Sequence, residues 1–221
     1  MDGPMLIWTL LLSHLAMPSA TPVADLAKFG RLLPFDESAK DAGFNAYKKR
    51  FLLALEQKDS AYVFAQLDPK ILVDFGSTGQ GVQAFRDEWL DCRTCDFWKE
   101  AKAILSMGCT RQTAEEVHFA CPYVFQGLPE DKDGFSWEVV ISKDVPVYAD
   151  SSTRSKILAR ASYSILPRVA GGNAKWFRVD TSALASGGYL EKRFVRSPVD
   201  VRILFAKRDS KWKVIMYVGG D

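Results

Sequence analysis

The chain has 221 residues, 48% of them hydrophobic and 25% charged, with 29 Lys+Arg against 27 Asp+Glu. That length fits one large domain or two small ones around a buried core, and the composition excludes a disordered, collagen-like or multi-span membrane chain. The basic residues are scattered, with no run long enough to follow a polyphosphate backbone, so no nucleic-acid partner is expected.

Residues Met5 to Leu12 read MLIWTLLL and run into small residues around Ala20. An apolar stretch followed by a small-residue cleavage position is the pattern of a secretory signal, and it is shorter than the roughly 20 residues a membrane span needs. We expect a signal peptide over residues 1–20, a periplasmic or secreted protein, and no stable membrane span once the signal is cleaved. The first residues carry Asp2 and no Lys or Arg, which makes Met5 an alternative start. Cleavage would remove His14 and leave His118 as the one histidine. A Ser-His-Asp or Cys-His mechanism would then have to use His118, so no catalytic residue is assigned. No cofactor or metal is expected, and His118 reads as a structural residue.

After the signal, Ser38 to Asp41 fits a capping box, and Phe44, Tyr47, Phe51 and Leu55 recur at helical spacing. The predicted helix buries these four and exposes Lys48, Lys49, Arg50 and Lys58. Asp59 is the expected cap of a second helix that stops at Asp68-Pro69. A strand over Ile71–Phe75 leads into the loop Gly76–Gly81, whose next residues, Val82-Gln83, stand where a phosphate loop needs Lys and Ser/Thr. A third helix carries Val82, Phe85 and Trp89, and a fourth carries Phe97, Ala101, Ile104 and Leu105 to a stop at Gly108. From Val117 the helical period gives way to short strands and turns. The last is a hairpin in which Val199, Val201, Ile203 and Phe205 alternate on one strand and Trp212, Val214, Met216 and Val218 on the other. Helices first and strands afterwards make the fold class α+β.

The four cysteines are Cys92, Cys95, Cys109 and Cys121. Four allow three pairings. The most local joins Cys92 with Cys95 and Cys109 with Cys121, as structural disulfides formed after export. The C-x-x-C stretch before a helix also admits a thiol-disulfide enzyme, because a helix N-terminus lowers a thiol pKa. A zinc site on these cysteines lacks the usual second-half spacing. The paired acids Glu115-Glu116, Asp131-Asp133 and Asp87-Glu88 read as surface charge.

Between Trp137 and Arg196, Val145-Pro146-Val147-Tyr148, Ser155-Lys156-Ile157-Leu158, Tyr163-Ser164-Ile165-Leu166, Trp176-Phe177-Arg178-Val179 and Gly188-Tyr189-Leu190 follow one another in the order of a bacterial SH3 (SH3b) domain, which this segment resembles. The resemblance implies a small five-stranded β-barrel over residues 137–196 and a binding module for cell-wall peptide or an envelope protein. Tyr148, Tyr163, Trp176 and Tyr189 are the candidate ligand-binding residues. Val147-Tyr148 departs from the family's commonest V-R form. The remainder, residues 25–136 completed by 197–221, is similar to NTF2-like proteins in Phe51 to Asp59, Leu67-Asp68-Pro69, Asp74-Phe75-Gly76, Ala84-Phe85, Trp89 and the terminal Trp212-Lys213 to Gly220-Asp221. That likeness implies helices packed on an antiparallel sheet of NTF2 or cystatin type, with the barrel inserted before the last hairpin. It also gives a second alternative function, a small-molecule binding domain.

Overall fold

The computed structural model describes residues 24–76, 79–113, 116–180, 184 and 187–220, so the expected signal segment lies outside the described residues. The chain is α+β. Helix α1 (Ala42–Gln57) begins at Asp41, whose carboxylate accepts from the Phe44 amide at 2.8 Å, and ends at Lys58 in the left-handed conformation. Asp41 is therefore the cap. Ser38 belongs to a preceding 3-10 turn and donates instead to Asp36 at 2.6 Å.

Phe44, Phe51 and Leu55 are buried as the spacing predicts, but so is Lys48. The expectation of an exposed Lys48 fails because Nζ reaches Asp36 at 2.7 Å and Ser38 Oγ at 3.3 Å, both on the strap ahead of the helix. Helix α2 (Ser60–Gln66) is capped by Asp59, which accepts from the Tyr62 amide. The chain turns extended before Asp68-Pro69: β2 is Leu67–Leu72, earlier than the expected strand, and it sits at a sheet edge where a proline removes no ladder bond.

Helix α3 (Val82–Phe85) continues as a π-helical turn over Arg86–Leu90 that carries Trp89. Helix α4 (Phe97–Ser106), capped by Asp96, buries Phe97, Ala101, Ile104 and Leu105. Gly108 ends this region at φ +101°, and a Cβ there would lie 2.3 Å from the Phe35 carbonyl. Only glycine lets the strap of residues 35–36 pass so close.

The sheet facing these helices has the order β2-β13-β12-β4-β3, with β3 (Thr110–Arg111), β4 (Phe119–Cys121), β12 (Arg202–Arg208) and β13 (Lys211–Val218). It is antiparallel except where β13 runs parallel to β2. The expected hairpin is present, with Asp209 and Ser210 both at positive φ as a two-residue type I′ turn requires. Its alternation breaks once. Leu204 pairs with Met216 and Phe205 with Val214, so Ile215 is an extra residue, a β-bulge. Met216 consequently leaves the helix-covered face and Tyr217 takes its place in the core. A short helix α5 (Tyr123–Gly127) interrupts the stretch expected to hold only strands.

Between these elements lie β5 (Trp137–Val140), β6 (Val145–Tyr148), β7 (Ile157–Ala161), β8 (Ile165–Pro167), β9 (Trp176–Val179), β10 (Gly188–Glu191) and β11 (Val195–Arg196). Together with β1 (Ala24–Asp25) they form two sheets, β1-β7-β6-β10-β9 and β11-β5-β8, neither closed on itself into a barrel. The chain leaves one sheet for the other at Tyr163, which has φ 54°, and again at the 3-10 turn Lys192–Phe194. The sheets share one core through Val140, Val147, Leu166 and Leu190. The N-terminal strap joins it: β1 (Ala24–Asp25) pairs in parallel with β7, and Leu26 is buried there.

Candidate functional site

In β9 and β10 the pleat sends Phe177, Val179 and Leu190 inward, leaving Trp176, Arg178, Tyr189 and Glu191 on the outer face, half buried. Tyr189 pairs with Tyr148 of β6 and with Arg178 of β9, and directly paired residues share a face. The Tyr148 and Trp176 rings meet edge to face, with centroids 5.8 Å apart and planes at 89°. Three of the four candidate aromatics therefore share one face. Tyr163 does not join them: its backbone amide donates to Ser142 and its carbonyl accepts from Leu32, which holds it beside the N-terminal strap. Burial, with a smaller electrostatic contribution from Tyr163, pushes the Tyr123 hydroxyl up to about 12.

Trp176 is also one wall of a cleft of about 450 Å³ that the sequence reading missed. Its floor is Glu138, held by Arg168 at 2.7 Å, while Arg168 also donates to Ser197 Oγ at 2.8 Å. Burial raises the Glu138 carboxyl and outweighs the lowering by Arg168, with Asp200 adding to the rise. Arg178, Lys192 and Asn173 complete the rim. The cleft offers both charge signs beside an aromatic wall, which suits a ligand carrying amine, carboxylate and amide groups. Glu138 and Arg168 are 30 positions apart on β5 and just after β8, and nothing in their local sequence marks them as partners.

Both local disulfides are present. Cys109–Cys121 is buried and ties the end of α4 to β4, beside the Thr110–Ala120 pair of the β3–β4 ladder. Cys92–Cys95 is half-exposed and bridges the connection from the π-turn to α4. The helix start that would stabilise a thiolate is taken by Asp96, whose carboxylate accepts from the Lys99 amide at 3.2 Å. A carboxylate next to Cys95 disfavours a second negative charge. Replacing both with serine (C92S/C95S) is expected to cost about 1 to 2 kcal/mol, the loop-closure entropy of so short a ring. Chemical unfolding of the double variant measures it, and a loss above about 4 kcal/mol would contradict a merely local staple.

The same connection roofs a recess of about 350 Å³ bounded by Trp89, Cys95, Asp96, Phe97, Glu100 and Tyr217. The Trp89 and Tyr217 rings meet edge to face at 4.8 Å. His118 fills a structural role: Nδ1 accepts from the Lys207 amide at 3.0 Å, and its ring abuts Trp212 at 5.7 Å. Among the described residues no cluster of three or more His, Cys, Asp or Glu is placed to hold a metal ion, and no helix is long and apolar enough to cross a membrane. No family model, curated protein or solved structure matches this chain.

Proposed function

We propose that this protein is an exported binding protein of the bacterial envelope, with an SH3b-type module over residues 137–196 that recognises cell-wall peptide or a protein partner. One observation carries the reading: Trp176, packed edge to face against the buried Tyr148, forms a wall of the cleft that Glu138 and Arg168 also line. Aromatic rings give contact area at little entropic cost, and the paired charges below give orientation. The two disulfides and the signal-like N-terminus favour an oxidising, periplasmic or extracytoplasmic setting. The Asp96 cap beside Cys95 weighs against thiol-disulfide exchange as the main activity.

The test is retention on purified sacculi. The protein is expected to co-sediment, and Trp176→Ala to lower its affinity by roughly tenfold or more, as loss of an aromatic anchor does, with an unchanged melting temperature. Sacculi that fail to retain the parent protein would remove the wall ligand from the reading.

A second reading concerns the helix-covered sheet, the part similar to NTF2-like proteins, as a small-molecule binding unit. The recess at Trp89 and Tyr217 favours it.

A further inference from the structure

Tyr217 is 1% exposed, and its hydroxyl makes no hydrogen bond among the described residues. The Trp89 indole Nε1–H, buried in the wall of the same recess, makes none either. Burying a donor without an acceptor costs about 1 to 3 kcal/mol; the Tyr47 and Tyr123 hydroxyls and Arg196 Nε share that state elsewhere, but this recess holds two such donors. Burial together with the nearby Glu100 and Asp96 carboxylates raises the Tyr217 hydroxyl far above the ordinary phenol range, although Arg196 opposes them. Tyr217 thus stays a neutral donor. Trp89 is a donor by its chemistry, so both groups ask for an acceptor oxygen.

The walls narrow the ligand further. Phe97 lies 5.3 Å from the Tyr217 ring, giving a three-ring apolar surface with Trp89. Glu100 is paired with Arg196 at 2.9 Å, and at the rim the Asp96 carboxylate is matched by the Lys99 ammonium, so neither sign of charge dominates the lining. We propose that this recess binds a small uncharged molecule with a flat or apolar body and a carbonyl-type oxygen, which accepts from Tyr217 and Trp89. The inference rests on the second reading above and adds the chemical class of the ligand and the two donors that hold it.

The Cys92–Cys95 bridge has a part in the geometry, because it fixes the short connection between the turn carrying Trp89 and the helix start carrying Phe97. The β-bulge at Ile215 has the other part, since without it Tyr217 would face away from the helices.

The probe is acetophenone, with ethylbenzene as the comparator of similar shape that lacks the oxygen, titrated into the ¹⁵N-labelled protein. Acetophenone is expected to move the Trp89 indole N–H resonance, assigned by its loss in Trp89→Phe, and to bind more tightly than ethylbenzene. Tyr217→Phe is expected to weaken acetophenone binding roughly 5- to 10-fold, the worth of one hydrogen bond, while leaving the melting temperature unchanged or higher. Acetophenone binding as strong in both Tyr217→Phe and Trp89→Phe as in the parent protein would overturn this site and leave a small-molecule role elsewhere in the unit standing. No binding of either probe at millimolar concentration would overturn the site and that role together. A marked fall in the melting temperature of Tyr217→Phe would show that the hydroxyl is structural, and Trp89→Phe then decides the site by the same titration.

Discussion

Phe44→Ala is expected to lower the stability of the protein by about 4 kcal/mol, the upper part of the range for large-to-small changes in a closed core. The ring is fully buried on α1 and lies flat on Phe119 of β4, with centroids 3.8 Å apart and planes at 6°. It also meets Phe205 and Trp212 edge to face at 5.2 and 4.9 Å, so one side chain touches three strands. Truncation leaves those rings without partners on one side, and the surrounding aromatics are too rigid to collapse into the space. Urea unfolding followed by tryptophan fluorescence checks this. A loss below about 1.5 kcal/mol would mean that helix and sheet separate easily and that the stack does not hold the unit.

Asp36→Asn comes next, at about 2 to 3 kcal/mol. Asp36 ties the N-terminal strap to two other parts: Oδ2 accepts from Lys48 of α1 at 2.7 Å, and Oδ1 accepts from the Cys109 amide at 3.1 Å. The Lys48 side chain is 8% exposed, whereas that of Asp36 is 46% exposed. Removing the carboxylate therefore strands a buried ammonium, which costs about 3 to 5 kcal/mol for a fully enclosed pair. Water reaching Asp36 reduces that figure. Lys48→Met in the same chain removes the stranded charge, so the double variant is expected to recover most of the loss. If it recovers none, the damage lies in the bonds to Ser38 and Cys109.

The same pair has a pH signature. Burial pushes the Asp36 carboxyl up, but the bonds from Lys48, Ser38 and the Cys109 amide outweigh it and bring the pKa from 3.8 to about 2. A depressed carboxyl contributes stability that is complete above the unfolded value and is lost as pH falls through the folded one. The stability gap between the parent and Asp36→Asn is therefore expected to be constant above about pH 5 and to close between 3.8 and about 2. A gap that persists at pH 2 would sink the assignment.

Much of the architecture was legible because it rests on local signals. Asp59 announces α2 by capping chemistry, the stripe of Phe97, Ala101, Ile104 and Leu105 gives the buried face of α4, and the final hairpin shows in its alternation. What escaped depends on contacts between distant residues. Lys48 looks like one of three adjacent surface cations until the strap brings Asp36 against it, 12 positions away. The bulge at Ile215 leaves no mark in a run of apolar residues, yet it decides whether Met216 or Tyr217 enters the core. At the candidate site, Tyr148, Trp176 and Tyr189 fell together because strand pairing follows from the order of the segments. Tyr163 did not, because a positive φ at a turn is invisible in a tyrosine. The Glu138–Arg168 floor required the two-sheet arrangement itself.

The placement of β13 bears on how the chain can be made. Residues 211–218 sit inside their sheet, between β2 and β12, and not at its edge. The strands from 137 to 196 have all their partners once Arg196 has been synthesised, whereas α1, α2 and α4 have no completed surface to pack on until residue 218 is available. Pairings such as Val214 with Leu67 close loops of well over a hundred residues, which makes this half the slow one. The helical half therefore keeps its aromatic core positions without their sheet partners until the chain is almost complete.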